Sequence, residues 1–264
     1  MMVQGGSHPT AVGPPGNGKA AAGGQQEPRQ SAASRRQADR EDTNMEFILD
    51  TADAGAVRDL SEVMTIAGVT TNPTIITRSG KTPEQVFSEM DAVLAPEQKL
   101  FMQTVATDYE GILADARKIC SLRKNMYVKI PVTHDGMRAI KQAKREGLDV
   151  LATAIYSPDQ AFFAAMNGAD YLAPYVNRMC NYGDGVQWVR ELQTMLELNQ
   201  LPSKICAASF KNGNQVHELM LAGVGAVTVA PDVVRAMLDH PGTKVAVEEF
   251  TSAWEAAFGR RTFA

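Results

Sequence analysis

From Met45 to the C-terminus the chain alternates short apolar runs with longer amphipathic ones, and it does so eight times. The short runs fall at 47–49, 68–70, 100–104, 127–132, 150–155, 171–175, 205–208 and 226–229 and read as strands. Between them, helical spacing covers 54–64, 83–94, 108–120, 136–145, 158–166, 185–198, 214–222 and 231–238. Asp108 and Ser157 suit N-caps, and Pro83, Pro158 and Pro231 suit first helical positions. Gly147, Gly168 and Gly223 follow helices, where a left-handed residue often ends them. Eight such units within about 195 residues point to an α/β fold, a (β/α)8 TIM barrel. A doubly wound sheet is the alternative, but even spacing favours closure. One further helix, 243–258, carries Val245, Val247, Phe250, Trp254 and Phe258. It exceeds the eight units and is expected to pack on the barrel or on another subunit.

Residues 1–44 differ from the rest. They contain no Ile, Leu, Phe, Trp, Tyr or Cys and are rich in Gly, Ala, Gln, Ser and Pro. Such a stretch buries too little apolar surface to offset its ordering entropy, so a disordered N-terminal extension is expected. It lacks the apolar core of a signal peptide. Arg35, Arg36 and Arg40 raise the idea of a transit peptide or basic arm, but Glu27, Asp39, Glu41 and Asp42 nearly cancel the five basic residues of the segment. An upstream start or an appended segment, with the natural start at Met45, is the simpler reading. The domain is then 45–264.

A net charge of -4 and a pI near 5.6 give no nucleic-acid footprint. Cys120, Cys180 and Cys206 are odd in number with no C-x-x-C pair, which fits reduced thiols in a cytoplasmic protein. His8, His134, His217 and His240 form no zinc-type cluster with them. No apolar run approaches the ~20 residues of a membrane-spanning helix.

Lys129 lies inside an apolar strand, Tyr127-Val128-Lys129-Ile130-Pro131-Val132. Alternation points it away from Val128 and Ile130, so in a central strand its amine is buried. Lys is seldom fully buried unless paired or functional. Burial disfavours the charged form, and a neutral amine is the nucleophile of Schiff-base enzymes. A strand-end Lys paired with a carboxylate is the competing reading of this fragment.

In barrels of this kind the C-terminal strand ends and the loops beyond them build the active site. Nearly every strand here offers a polar group at that end: Asp50, Thr70-Thr71-Asn72, Gln103, Lys129, Thr153, Tyr175 with Arg178, and Ser209 with Lys211. Jointly they favour a catalytic mouth. Lys129 could attack a ketone and form an iminium, an electron sink for cleaving the adjacent C–C bond. Asp50, the only acid among them, could move protons while the carbinolamine forms and collapses. Gln103 and Thr153 could orient a water, with Tyr175 as the proton donor beside it. Arg178, Ser209 and Lys211 sit on late strands and match a phosphate monoester. Gly183-Asp184-Gly185 reads as a turn, and Gly223-Val224-Gly225 lacks the third glycine of a dinucleotide fingerprint.

At these residues the chain resembles the small transaldolase-like group that includes fructose-6-phosphate aldolase. The matching segments are LDTAD (49–53), AGVTTNPTII (67–76), FMQT (101–104), VKIPVT (128–133), ATAIY (152–156), APYVNR (173–178), AASFK (207–211) and WEAAFGRRT (254–262). The resemblance implies a metal-independent, cofactor-free class I aldolase. In it Lys129 is the Schiff-base lysine, with Asp50, Asn72 and Thr153 around it, and Arg178 binds phosphate with Ser209 and Lys211 nearby. Transaldolases proper carry Glu where this chain has Gln103, so Gln103 with Tyr175 tips the expectation toward cleavage of fructose 6-phosphate to dihydroxyacetone and glyceraldehyde 3-phosphate. Transfer of the dihydroxyacetone unit between sugar phosphates is the alternative. A non-catalytic sugar-phosphate binder is a third possibility from another class. The resemblance also implies a homo-oligomer, a decamer of two stacked pentameric rings in which the C-terminal helix reaches a neighbour.

Overall fold

A computed structural model describes residues 45–264; the disorder expected of 1–44 concerns residues outside those described. Eight parallel strands close into a barrel in chain order, with β8 pairing back onto β1. They are β1 (Glu46–Asp50), β2 (Gly68–Thr70), β3 (Lys99–Gln103), β4 (Met126–Pro131), β5 (Val150–Ile155), β6 (Tyr171–Pro174), β7 (Lys204–Ala207) and β8 (Ala226–Val229). Among the described residues the helices are α1 (Ala54–Val63), α2 (Pro73–Ser79), α3 (Pro83–Val93), α4 (Tyr109–Cys120), α5 (His134–Arg145), α6 (Pro158–Met166), α7 (Val176–Met179), α8 (Gly185–Leu198), α9 (Gly213–Leu221), α10 (Pro231–Leu238) and α11 (Pro241–Phe258). No helix among the described residues is long and apolar enough to cross a membrane.

The expected caps hold. Asp108 and Ser157 accept from the backbone of α4 and α6, and Gly147, Gly168 and Gly223 have φ of 76°, 89° and 79°. Two helices were not foreseen. Asn72 caps α2 and Pro73 fills its first turn, so a stretch that reads as a loop carries a helix. The single turn of α7 is too short for any periodicity to reveal. Helix α5 starts at His134, two residues before the expected Gly136, because Thr133 serves as its cap. Gly136 itself allows that turn: a Cβ there would lie 1.8 Å from Pro131 O, the end of the strand that carries Lys129.

Strand alternation splits the core in two. Val128, Ile130, Val150, Ala152, Leu172 and Val227 face the helices, while Ile48, Phe101, Leu151, Tyr171, Cys206 and Ala226 fill the barrel. The interior is layered. At the N-terminal end Phe101, Tyr127 and Tyr171 pack ring against ring, with centroids 4.8 to 5.5 Å apart. Beneath them Glu46 takes Lys99 Nζ at 2.8 Å, Lys204 Nζ at 3.0 Å and the Tyr171 hydroxyl at 2.8 Å. This plug closes the base of the barrel and leaves the other end for chemistry.

Helix α11 does not pack into the barrel: none of its residues is buried. Val245, Val247, Phe250 and Phe258 are exposed, and Trp254 packs on the local rings of Phe258 at 4.5 Å and Phe263 at 5.8 Å and donates to Thr262 O at 3.2 Å.

The plug makes stability depend on pH. Burial pushes the Glu46 carboxyl up, but hydrogen bonds from Lys99, Tyr171 and Lys204 and the Lys99 charge bring it below its ordinary 4.5. Its contribution is therefore complete above that pH and is lost as the pH falls through the lower folded value. Glu46→Gln leaves two lysines at the base without their counter-charge and is expected to cost about 2–4 kcal/mol at neutral pH. Urea unfolding of the two proteins should show that gap closing on acidification; a gap independent of pH would contradict this account of the plug.

Candidate active site

β4 is placed so that Lys129 pairs in register with Gln103 of β3 and Leu151 of β5. Its flanking residues Val128 and Ile130 are taken by the helix-facing core, so Lys129 points into the barrel, as expected. It is 3% exposed. Its Nζ donates to Thr71 O at 2.8 Å, reaching across β3 to the end of β2. No carboxylate lies within salt-bridge distance of it among the described residues, so the strand-end ion pair that competed for this lysine is not formed.

Asp50 ends β1 beside it. Thr70 Oγ1 donates to Asp50 Oδ1 at 2.7 Å, and Thr228 Oγ1 lies 2.6 Å from Thr70 Oγ1. Burial raises the Asp50 carboxyl above its ordinary range. The charge of Lys129, the Thr70 hydrogen bond and the charge of Arg178 pull the other way without restoring it. A carboxyl so balanced can both hold and give up a proton.

Gln103 ends β3, and its Oε1 is buried with no hydrogen-bond partner among the described residues. A buried orphan acceptor next to Lys129 is the kind of group that a water or substrate hydroxyl satisfies. Across the mouth the Thr153 hydroxyl and the Tyr175 phenol are 3.2 Å apart. The register between β5 and β6 shifts between Ala152 and Ile155, and Ala154 sits at φ 56°, a left-handed conformation costly for any residue but glycine. That irregularity lies immediately after Thr153.

Arg178 is exposed on α7, its guanidinium 4.7 Å over the Tyr175 ring. The α7 turn is pinned to the end of β7, Val176 N to Ala208 O and Asn177 N to Ser209 O. Ser209 has φ 60°. Lys211 is exposed two residues on and forms no salt bridge among the described residues. No hydrogen bond links the side chains of Arg178, Ser209 and Lys211 to one another. Asn72 spends its Oδ1 on the α2 cap, at 3.0 Å from Ile75 N, which leaves its amide NH2 as donor.

The barrel thus gathers Lys129, Asp50, Gln103, Thr153 and Tyr175 at one end, with Asn72, Arg178, Ser209 and Lys211 just beyond the strand ends. Thr228 and Tyr156 were missed from sequence, and Thr71 was read there only for its side chain. Thr228 shares the inward parity of Ala226, a signal present in the sequence. Thr71 acts through its carbonyl, which no residue type reveals. Tyr156 lies 3.5 Å from Arg178 Nη1 through its hydroxyl and packs on Tyr175 with centroids 5.9 Å apart. A cavity of about 760 Å³ lined by Tyr156, Ser157, Tyr182, Trp188 and Met195 shares only Tyr156 with this group. Among the described residues, no three His, Cys, Asp or Glu side chains are placed to hold a metal ion.

The profile of a family described as Transaldolase/Fructose-6-phosphate aldolase matches residues 47–262. Among solved structures, dihydrodipicolinate synthase from Rhodopseudomonas palustris superposes with a TM-score of 0.54 at 13% identity, covering 72% of each chain. That likeness concerns the fold alone. A designed cube-shaped, highly porous protein cage made by fusing symmetric oligomeric domains matches at 19% identity and a TM-score of 0.49, over 83% of this chain and 82% of that one.

Proposed function

This chain belongs to the transaldolase/fructose-6-phosphate aldolase family, and from that premise we propose that it is a class I aldolase cleaving fructose 6-phosphate reversibly to dihydroxyacetone and glyceraldehyde 3-phosphate. The observation that carries this reading is the buried Lys129 amine, bonded to a carbonyl among polar groups from neighbouring strands.

In the proposed cycle the Lys129 amine adds to the C2 ketone. The carbinolamine loses water to give an iminium, and Asp50 carries the protons of both steps. The iminium accepts the electron pair of the C3–C4 bond as it breaks. The C4 hydroxyl gives up its proton to a water held by Gln103 and Thr153, and the aldehyde leaves. Tyr175 returns a proton to C3 of the enamine through that water. Hydrolysis of the resulting iminium then frees dihydroxyacetone and Lys129. Arg178, Ser209 and Lys211 hold the phosphate, and the Asn72 amide bonds a hydroxyl of the three-carbon unit. No cofactor enters this cycle. The free thiols Cys120, Cys180 and Cys206 support a cytoplasmic setting.

The neutral amide of Gln103, in place of a carboxylate, is the feature that favours release over transfer. A carboxylate there could take the C4 hydroxyl proton and, as the acid, return it to the carbonyl oxygen of an incoming aldose as the enamine attacks. Fructose 6-phosphate alone is therefore expected to yield free dihydroxyacetone, with Lys129→Ala reducing kcat by ~10³-fold or more. Turnover that appears only with an added aldose acceptor would favour the transaldolase alternative. Gln103→Glu should raise the ratio of transfer to release, measured with erythrose 4-phosphate as acceptor; an unchanged ratio would remove Gln103 as the determinant.

We also propose that the apolar stripe of α11 is covered by a second copy, in a decamer of two pentameric rings. An exposed run of Val245, Val247, Phe250 and Phe258 is costly for a lone chain. Light scattering should give roughly ten times the 28.5 kDa of one chain. A monomer in solution would overturn the assembly and leave the reaction untouched.

A further inference from the structure

Thr228 has no place in the cycle above, yet it is among the few polar side chains buried within the barrel, 2% exposed on β8. Its only hydrogen-bond contact among the described residues is Thr70 Oγ1, which in turn contacts Asp50 Oδ1. On the reading of Asp50 as the proton carrier, we propose that Thr228 is a positioning residue, which acts through Thr70 to orient and strengthen the hydrogen bond holding Asp50 Oδ1.

The direction of the chain follows from counting hydrogens. A hydroxyl has one, and an ionised carboxylate only accepts. With Asp50 ionised, Thr70 gives its hydrogen to Asp50, so in that state Thr228 is the donor to Thr70. The three residues lie on adjacent strands, since β1 pairs with both β2 and β8. Asp50 is in register with Thr70, and Thr228 with Ile48. The result is a one-way line of donors that ends on a carboxylate. Donation toward a charge polarises each bond in such a line and favours the ionised form. It also occupies Oδ1 and leaves Oδ2 as the oxygen that exchanges protons with the reacting groups.

Other groups face Asp50: the charges of Lys129 on β4 and Arg178 beyond β6, and the Cys206 thiol lower on β7. That thiol is pushed up to about 12 by burial, so it stays neutral near Asp50. Thr228→Val alters none of them. It keeps the branched shape and deletes one hydroxyl.

The test is a 13C NMR titration of the Asp50 carboxyl in the full chain, assigned by the signal lost in Asp50→Asn, with kcat and KM for fructose 6-phosphate measured in parallel. Thr228→Val is expected to raise the Asp50 midpoint by about half a pH unit, the size of a modest loss of hydrogen-bond strength. The acid limb of kcat should move with it, lowering kcat about twofold at the original midpoint with KM unchanged. Thr228→Ser keeps the hydroxyl and should restore both. An unmoved Asp50 midpoint in Thr228→Val, or a Thr228→Ser protein that behaves like Thr228→Val, would overturn the inference. The titration is read without turnover, so an inactive native chain would defeat the aldol reaction while the hydrogen-bond line is still judged on its own.

Discussion

A closed parallel barrel gives its interior only every second residue of each strand, and everything functional in this molecule depends on that parity. On β1 the inward residues are Glu46, Ile48 and Asp50; on β3 they are Lys99, Phe101 and Gln103. Read upward, both strands go from charge through apolar bulk to a polar end. On β4, Tyr127 and Lys129 supply the last two of these steps. The charged base is self-satisfied, the apolar middle keeps water out, and the polar top is left to work. A one-residue slip of β4 would bring Val128 and Ile130 inside and press Lys129 into the helix-facing core.

The two ends handle buried charge differently. At the base, Glu46 meets two lysines and a phenol, so each charged group has an opposite charge within hydrogen-bond distance, two ammoniums sharing one carboxylate. At the mouth the pairing is incomplete. Lys129 meets a neutral carbonyl, Asp50 meets a hydroxyl, and Gln103 Oε1 meets nothing among the described residues. Left-handed backbone at residues other than glycine occurs at both ends among the described residues: Ala154 and Ser209 near the mouth, Asn125 and Gln200 in the loops that enter β4 and β7 at the base. Satisfied charges at one end and partial pairing at the other is the pattern expected when one end is structural and the other binds a ligand.

Much of this was legible in the sequence because it rests on period-two alternation. The eight strands, their order and the inward direction of Lys129 all follow from it. So do the end positions of Asp50, Gln103 and Thr153. What escaped falls into physical classes. The Thr71 carbonyl and the Ala154 conformation belong to the backbone, which residue types do not encode. Helices α2 and α7 are too short to establish a period. Thr228 was readable, since it shares its face with Ala226, but it lies short of the strand end, where the other polar groups sit. The base plug also follows from parity, yet Glu46, Lys99 and Lys204 are ordinary surface residue types, and only closure brings them together.

The central claim is that Lys129 bonds covalently to a ketone inside this mouth. Incubating the protein with dihydroxyacetone, reducing with borohydride and mapping the modified peptide tests it most directly. The account requires one stable adduct, on the peptide carrying Lys129, at about one per chain under saturating ligand. An adduct on any other lysine, or none at all while dihydroxyacetone demonstrably binds, would contradict it.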